Sequence, residues 1–460
     1  MFEHIRGTAA DPTSGPTADC GDPVAGLKTL FVDTVMGRRL AAGQGPALRP
    51  VFLKPHGVAL GTFAVCPDLP QNLRVGVFAH AGFPAVVRFS SDRRPRDPDL
   101  RSTVGVGVKL IGVPGKKLLH LDAPTCDFVL QNHDVFFVDT AQDMCEFTHA
   151  GVVGGDYGPY LAVHPTTDRI LKDMEKVVPS LLATTYWGLL PHRCGDGWFV
   201  KYKLAPAPGG VGGPALDPAG LDNYLYVDLK ARLLQGAAAF HFYVQPRGDD
   251  AAMPLDQATV RWDEGASPPV HVATLTLPRQ NIDAPGQAGY GENMAFNIWQ
   301  TLAEHEPQGS IAAARKVVYA ASADLRRTTN KVTTAEPTKP LPDPAPPSGP
   351  DATIVRAEIH PAIGVARVGN SDEYFLAPEV PDPAPAAGSY RDATGALKRQ
   401  AVRFRVYGYN KDGEVVGELT ADTAVVEWTA HVANKKAAWY NFTLAMDIPD
   451  VADPKVNNPA

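Results

Sequence analysis

Gly309-Ser-Ile-Ala-Ala-Ala-Arg315-Lys-Val-Val-Tyr319-Ala-Ala-Ser-Ala-Asp-Leu-Arg326 reads as a helix. Pro307 blocks its extension backward, Ser310 is placed as an N-cap, and no glycine or proline interrupts the run to Arg326. Arg315 and Tyr319 are four residues apart, so they share one face of that helix. A guanidinium next to a phenol favours the phenolate, and a phenolate is a hard anionic donor suited to ferric iron. A pair at this spacing is more often a plain surface contact. The rest of the chain has to decide between the two readings.

Outward from that helix, the pattern is mostly strand. In Val58-Ala-Leu-Gly-Thr-Phe-Ala-Val65 both alternating faces are apolar, as in a wall buried on each side. Ala85–Ser90, Val104–Leu110, Asp127–Leu130, Val135–Val138, Phe240–Gln245 and Val272–Leu277 also read as strands. In the Val104 strand, Gly105 and Gly107 leave one face open to a close neighbour. Helical patterns lie near Asp168–Val177 and at 310–327, and a short amphipathic stretch lies around Leu27–Leu40. The fold class is α+β, an antiparallel barrel with appended helices.

The domain plan follows from composition. Residues 1–45 form an arm and 46–334 the barrel domain. The proline-rich 335–352 cannot pack a core and reads as a semi-rigid linker. Residues 353–460 form a small β-rich unit. There Val402, Phe404 and Val406 alternate with Arg403 and Arg405, and Asn410-Lys-Asp-Gly413 reads as a turn.

Charge and cysteine content narrow the function. With 43 basic and 50 acidic residues the net charge is −7, which argues against a nucleic-acid partner. The five cysteines, Cys20, Cys66, Cys126, Cys145 and Cys194, are scattered, so neither a disulfide framework nor a zinc site is expected. The first residues carry no apolar leader and no stretch reaches membrane-spanning length. The expectation is a soluble, cytoplasmic protein of a reducing compartment.

With these segments in place, residues 45–330 resemble the haem catalase superfamily, in particular its compact bacterial members. The matches run in order: Arg49 and the strand after it, Val87-Arg88-Phe89-Ser90, Arg101-Ser-Thr-Val-Gly-Val-Gly-Val-Lys109, Asp127 to Phe137 around Asn132, Arg315-x-x-x-Tyr319, and Arg326. The resemblance implies haem b as cofactor, with Tyr319 ligating its iron and Arg315 as the charge partner of that phenolate. Arg49, Arg88 and Arg326 would take the propionates, a task suited to guanidinium forks. Asn132 would hold peroxide, and Ser90 would orient the distal imidazole. That imidazole is missing, because Phe52 stands where the family has histidine. His56, four residues on, either replaces it through a bulged strand or is a histidine tucked beside Gly57. His133 is a weaker replacement.

The C-terminal unit resembles the N-terminus of the lysine ε-oxidase family, through Ile359–Ser371, Lys398–Arg405, Glu427-Trp428 and Ala433–Trp439. Those enzymes build a quinone from tryptophan and cysteine. No cysteine lies beyond Cys194, so residues 353–460 cannot form that cofactor, and Trp428 and Trp439 read as core. Taken together, the resemblances imply a haem-dependent oxidoreductase acting on hydrogen peroxide or an organic hydroperoxide. The alternative is a haem-binding or scaffold protein with little turnover. The partners they leave open are a homo-oligomer and a quinone-cofactor amine oxidase.

Overall fold

Eight antiparallel strands close into a barrel in the computed structural model. It describes residues 20–209, 222–284, 286–333 and 335–340, together with the backbone of eight strands between residues 356 and 444. The barrel strands are β1 (Lys54–Val65), β2 (Gly82–Ser91), β3 (Val104–Ile111), β4 (Thr125–Gln131), β5 (Tyr186–Arg193), β6 (Phe199–Pro206), β7 (Ala238–Pro246) and β8 (Val270–Leu277). Each pairs with the next, and β8 pairs with β1. The helices are α1 (Pro23–Lys28), α2 (Gly37–Ala41), α3 (Ala141–Val152), α4 (Gly158–Val163), α5 (Pro165–Met174), α6 (Tyr224–Gln235), α7 (Gln287–Asn293) and α8 (Ser310–Asn330). The α+β reading matches this architecture.

Side-chain alternation explains the layering. Phe63, Phe128 and Phe242 point into the barrel and touch one another, with ring centroids 4.7–5.9 Å apart. Truncating one of them would cost on the order of 3–5 kcal/mol. The residues between face outward. Val58 and Val86 are sealed there by Met294, Tyr290 and Phe296. A second core joins Leu27, Leu30 and Phe31 to α3 and α8. This is why β1 and β2 carry apolar side chains on both faces.

Several local expectations change. Val135–Val138 is not a strand; Phe137 instead packs on Phe147 of α3, with centroids 5.0 Å apart. Ser310 is the first residue of α8 and not its cap. Gly309 holds that place at φ 90, where a Cβ would lie 2.7 Å from the Leu255 carbonyl. Asp256 accepts from both the Ser310 amide and its hydroxyl. Cys20 and Cys145 form a disulfide, a pairing across 125 residues that their spacing did not announce. It ties the N-terminal segment ahead of α1 to α3.

Contacts divide the chain into two compact units, residues 1–282 with 287–341, and residues 283–286 with 342–460. The start of the stretch read as linker belongs to the first unit. Glu336 is buried on Lys109 at 2.6 Å and on Thr125 at 2.9 Å. The second unit holds three small sheets, pairing β10 (Ile363–Val368) with β11 (Ser371–Leu376), β12 (Gln400–Arg403) with β15 (Val425–Val432) and β16 (Tyr440–Leu444), and β13 (Arg405–Tyr409) with β9 (Arg356–His360) and β14 (Val415–Glu418). The strand expected over Val402–Gly408 is therefore shared between two sheets. The inward alternation of Val402, Phe404 and Val406 and the turn at 410–413 lie outside the described residues.

Candidate functional site

One slot brings together most of the residues singled out above. It lies between α8 and the outer face of β2–β4, as two adjoining chambers of about 840 and 810 Å³. From α8 come Arg315, Tyr319, Ser322, Ala323 and Arg326, at i, i+4, i+7, i+8 and i+11, which is one helical face. From the strands come Arg88, Ser90, Gly105, Gly107, Val129 and Gln131, and Arg49 enters from the segment before β1. The space at Gly105 and Gly107 is taken by the rings of Phe52 and Phe296, which a Cβ there would meet at 2.8 and 2.9 Å. The two glycines thus admit aromatic lining into the wall.

The two chambers differ chemically. The first contains Arg49, Arg88 and Arg326. The second is lined by Leu27, Phe31, Val51, Phe136, Phe137, Met144, Ile311 and Val318, with Asp92 among its few polar groups. Tyr319, Arg315, Phe52 and Gln131 belong to both. The Arg315 guanidinium carbon lies 5.9 Å from the Tyr319 ring centre and 5.3 Å from that of Phe136.

The arginine end is short of negative charge. Arg88 donates Nε and Nη2 to one oxygen of Glu292 at 3.0 and 2.7 Å, and Arg49 donates Nη1 to the other at 3.0 Å. Among the described residues Arg326 reaches the backbone carbonyls of Glu292 and Met294, and its buried Nε has no hydrogen-bond partner there. Burial pushes the Arg326 guanidinium down to about 10; Glu292 works against that, and nearby Arg88 adds to it. Burial, then Arg88 and Arg326, also lower Arg49 well below its ordinary value. Burial would raise the Glu292 carboxyl, but Arg88 and Arg49 outweigh it and hold it below the ordinary value. Three crowded guanidiniums, of which only Arg49 and Arg88 bond the one carboxylate, suit a ligand that brings further carboxylates.

Two residues assigned to the site stand elsewhere. β1 is bulged between Pro55 and Gly57, as a catalytic His56 would require, yet the bulge does not bring His56 to the slot. Its Nδ1 lies 3.9 Å from Asp99 Oδ1, beside buried Lys54, and neither ring nitrogen has a hydrogen-bond partner among the described residues. Burial, then Lys54 and Arg88, push its pKa down to about 3. Asn132 is held by the sheet: its Oδ1 accepts from Val104 N at 3.0 Å and its own amide donates to Val104 O. His133 contacts Lys176 at 3.3 Å. The residues that the sequence reading missed are Glu292, Gln131 and Asp92. No motif marked Glu292; Gln131 lies inside the Asp127–Phe137 segment, next to the Asn132 chosen there, and Asp92 follows the Val87–Ser90 segment by two residues.

The barrel aligns with a fungal catalase at 16% identity and a TM-score of 0.51, covering 64% of this chain and 63% of that one. A bacterial catalase gives the same identity and TM-score over 70% of this chain and 64% of the other. Catalase A from Saccharomyces cerevisiae does so over 63% of each. The barrel unit has the catalase fold. Residues 360–460 match the family described as L-Lysine epsilon oxidase N-terminal. They are similar to the L-lysine 6-oxidase of Marinomonas mediterranea, 39% identical over 100 residues, which covers 18% of this chain and 13% of that protein. The chain thus spans a small part of that curated relative and under two thirds of each catalase. No helix among the described residues is long and apolar enough to cross a membrane.

Proposed function

We propose that the catalase-fold unit binds haem b and acts on peroxides, with hydrogen peroxide or an organic hydroperoxide as substrate. The observation that carries this reading is the slot itself. Tyr319 sits where a chamber with Arg49, Arg88 and Arg326 at one end meets a second chamber without them, and an amphiphilic macrocycle with carboxylates at one edge has a matching division. Arg49, Arg88 and Arg326 would take the propionates, Arg326 having no carboxylate partner among the described residues. Phe136, Phe137, Ile311 and Val318 would cover the apolar edge. The Tyr319 oxygen would ligate the iron, and Arg315 would hold a positive charge beside it. Ferric haem, when bound, supplies two-electron redox chemistry toward a peroxide O–O bond.

The wall that would face a peroxide has Phe52 and the Gln131 amide, and no histidine lines either chamber. An amide does not accept a proton at neutral pH, and a placed base contributes roughly 10²–10⁴-fold to such a transfer. This favours slow dismutation, with an organic hydroperoxide, whose leaving group depends less on that proton, turned over better. It is also the observation behind the second reading, a haem protein with little turnover. The unit similar to the lysine oxidase N-terminus fits a role beside an oxidase that releases hydrogen peroxide.

Reconstitution with ferric haem tests the assignment. Wild type is expected to show a tyrosinate-ligated ferric spectrum, and Tyr319→Phe to lose it. Full haem uptake with an unchanged spectrum in Tyr319→Phe would sink the ligand assignment. Oxygen evolution from hydrogen peroxide, set against consumption of an organic hydroperoxide, separates the two readings of turnover.

A further inference from the structure

Residues 23–41 are helical throughout. Their backbone bonds are spent within the segment, so it reaches the barrel unit through side chains. Leu27 and Phe31, four residues apart on it, are buried and line the second chamber. Ile311 and Val318 of α8 and Met144 of α3 line the same chamber. Beyond this packing, the segment is tied down near its two ends. At its far end, Arg38 Nη1 donates to the Val152 carbonyl at 3.0 Å. Arg39 donates to the carbonyls of Arg49 at 3.0 Å and Pro50 at 3.4 Å, and Pro50 borders both chambers. At its near end stands the Cys20–Cys145 disulfide, and Cys145 directly follows Met144 in α3. Cys66, Cys126 and Cys194 are free thiols, so the covalent tie serves this segment and not the barrel wall.

Resting on the haem reading above for its occupant, we propose that residues 20–41 are a strap over the second chamber, locked by the Cys20–Cys145 disulfide and loosened when a dithiol reduces it. Cys20 is half-buried and Cys145 fully buried, so an entering thiolate meets the Cys20 side and Cys145 leaves. The dithiol gives up two electrons and two protons and becomes a disulfide, while Cys20 and Cys145 become thiols. Hydrogen peroxide, a substrate under the same reading, reverses this. It takes the two electrons and two protons as the S–S bond forms again, and leaves as two waters. With the lock open, only packing and the arginine bonds hold Leu27 and Phe31 in the wall, so the segment opens locally more often. The oxidant that the slot would consume thus closes the strap that retains the occupant.

Two measurements on the full chain test this. In the first, the apoprotein is cut briefly with trypsin, oxidised or after reduction with dithiothreitol, and the fragments are identified by mass. Cleavage after Lys28, Arg38 or Arg39 should be at least about tenfold faster in the reduced protein. In the second, oxidised and reduced protein are desalted, loaded with ferric haem and mixed with excess apomyoglobin. Haem transfer should be at least about tenfold faster from the reduced protein, and slow again when hydrogen peroxide has treated the reduced apoprotein before loading. Cys20→Ser should transfer haem fast in either condition, whereas Cys66→Ser should keep the wild-type difference. Reduced wild type makes the same test without a variant, should Cys20→Ser fold poorly. Equal cleavage at these sites in the two states overturns the strap, as do equal transfer rates or a difference that vanishes in Cys66→Ser. Oxidised wild type that takes up no haem overturns the haem reading alone, because the cleavage measurement needs no haem and still decides the strap.

Discussion

Arg88 grips Glu292 through two nitrogens, Nε at 3.0 Å and Nη2 at 2.7 Å, both on the same carboxylate oxygen. The other oxygen is left for Arg49. Glu292 is thus the carboxylate that Arg49 and Arg88 share among the described residues. It comes from α7, more than two hundred residues from Arg88 in sequence.

Glu292→Gln removes that anion and leaves three guanidiniums together. Uncompensated charge of this kind is costly, but Glu292 is 28% exposed, so a loss of about 2 kcal/mol is expected in the apo protein. Haem should restore part of that loss, because its propionates would supply new carboxylates. Urea unfolding of the apo and haem-loaded variant checks this. Equal losses in the two states would mean that the cluster does not face the ligand.

Phe52→His should raise oxygen evolution from hydrogen peroxide by roughly tenfold to a hundredfold in the haem-loaded protein. Position 52 already lines both chambers, so its side chain stands in the slot. Its φ is 52, a region that histidine tolerates better than most bulky residues. His56→Leu should leave turnover unchanged. Loss of activity in His56→Leu would revive the bulged-strand alternative.

Two buried groups give opposite pH signatures. The folded-state pKa of His56 is lowered to about 3 from 6.5. The unfolded chain therefore takes up a proton that the native site refuses, and stability falls as pH drops below 6.5. His56→Leu should gain on wild type by about 1.4 kcal/mol per pH unit below that point. Asp92 is raised by burial to about 7 from 3.8, so its native form keeps a proton that the unfolded chain releases. Stability there falls as pH rises from about 4 to 7 and then levels. Asp92→Asn should keep the bond that Asp92 Oδ1 accepts from Thr103 N at 3.0 Å. It should gain on wild type by about 1.4 kcal/mol per unit across that window. Urea midpoints at pH 5, 6, 7 and 8 separate the two, and a flat difference in either case rules out the buried titration.

Much of the architecture was legible in the chain. Local periodicity is a short-range property, so the alternation in β1 announced a wall buried on both sides, and that in β2 and β3 announced strands. The unbroken run from Ser310 announced α8, and spacing put Arg315 and Tyr319 on one helical face, while Arg326 was marked only by the family resemblance. Strands β5 and β6 were missed because Tyr186–Arg193 and Phe199–Pro206 mix glycine, proline, lysine and histidine among the apolar residues. Their partners supply what their own pattern lacks.

The tertiary structure alone decided which neighbour faces the slot. Successive strand residues point to opposite faces, so one residue of register exchanges the roles of Gln131 and Asn132. The bulge at Pro55–Gly57 makes the same kind of choice for His56. Sequence can show that a bulge is needed, but not toward which group it turns. The Glu292 contacts to Arg49 and Arg88, and the Cys20–Cys145 disulfide, join segments far apart in the chain. No local pattern records such pairings, because they depend on how the barrel closes and on where α3, α7 and α8 pack against it.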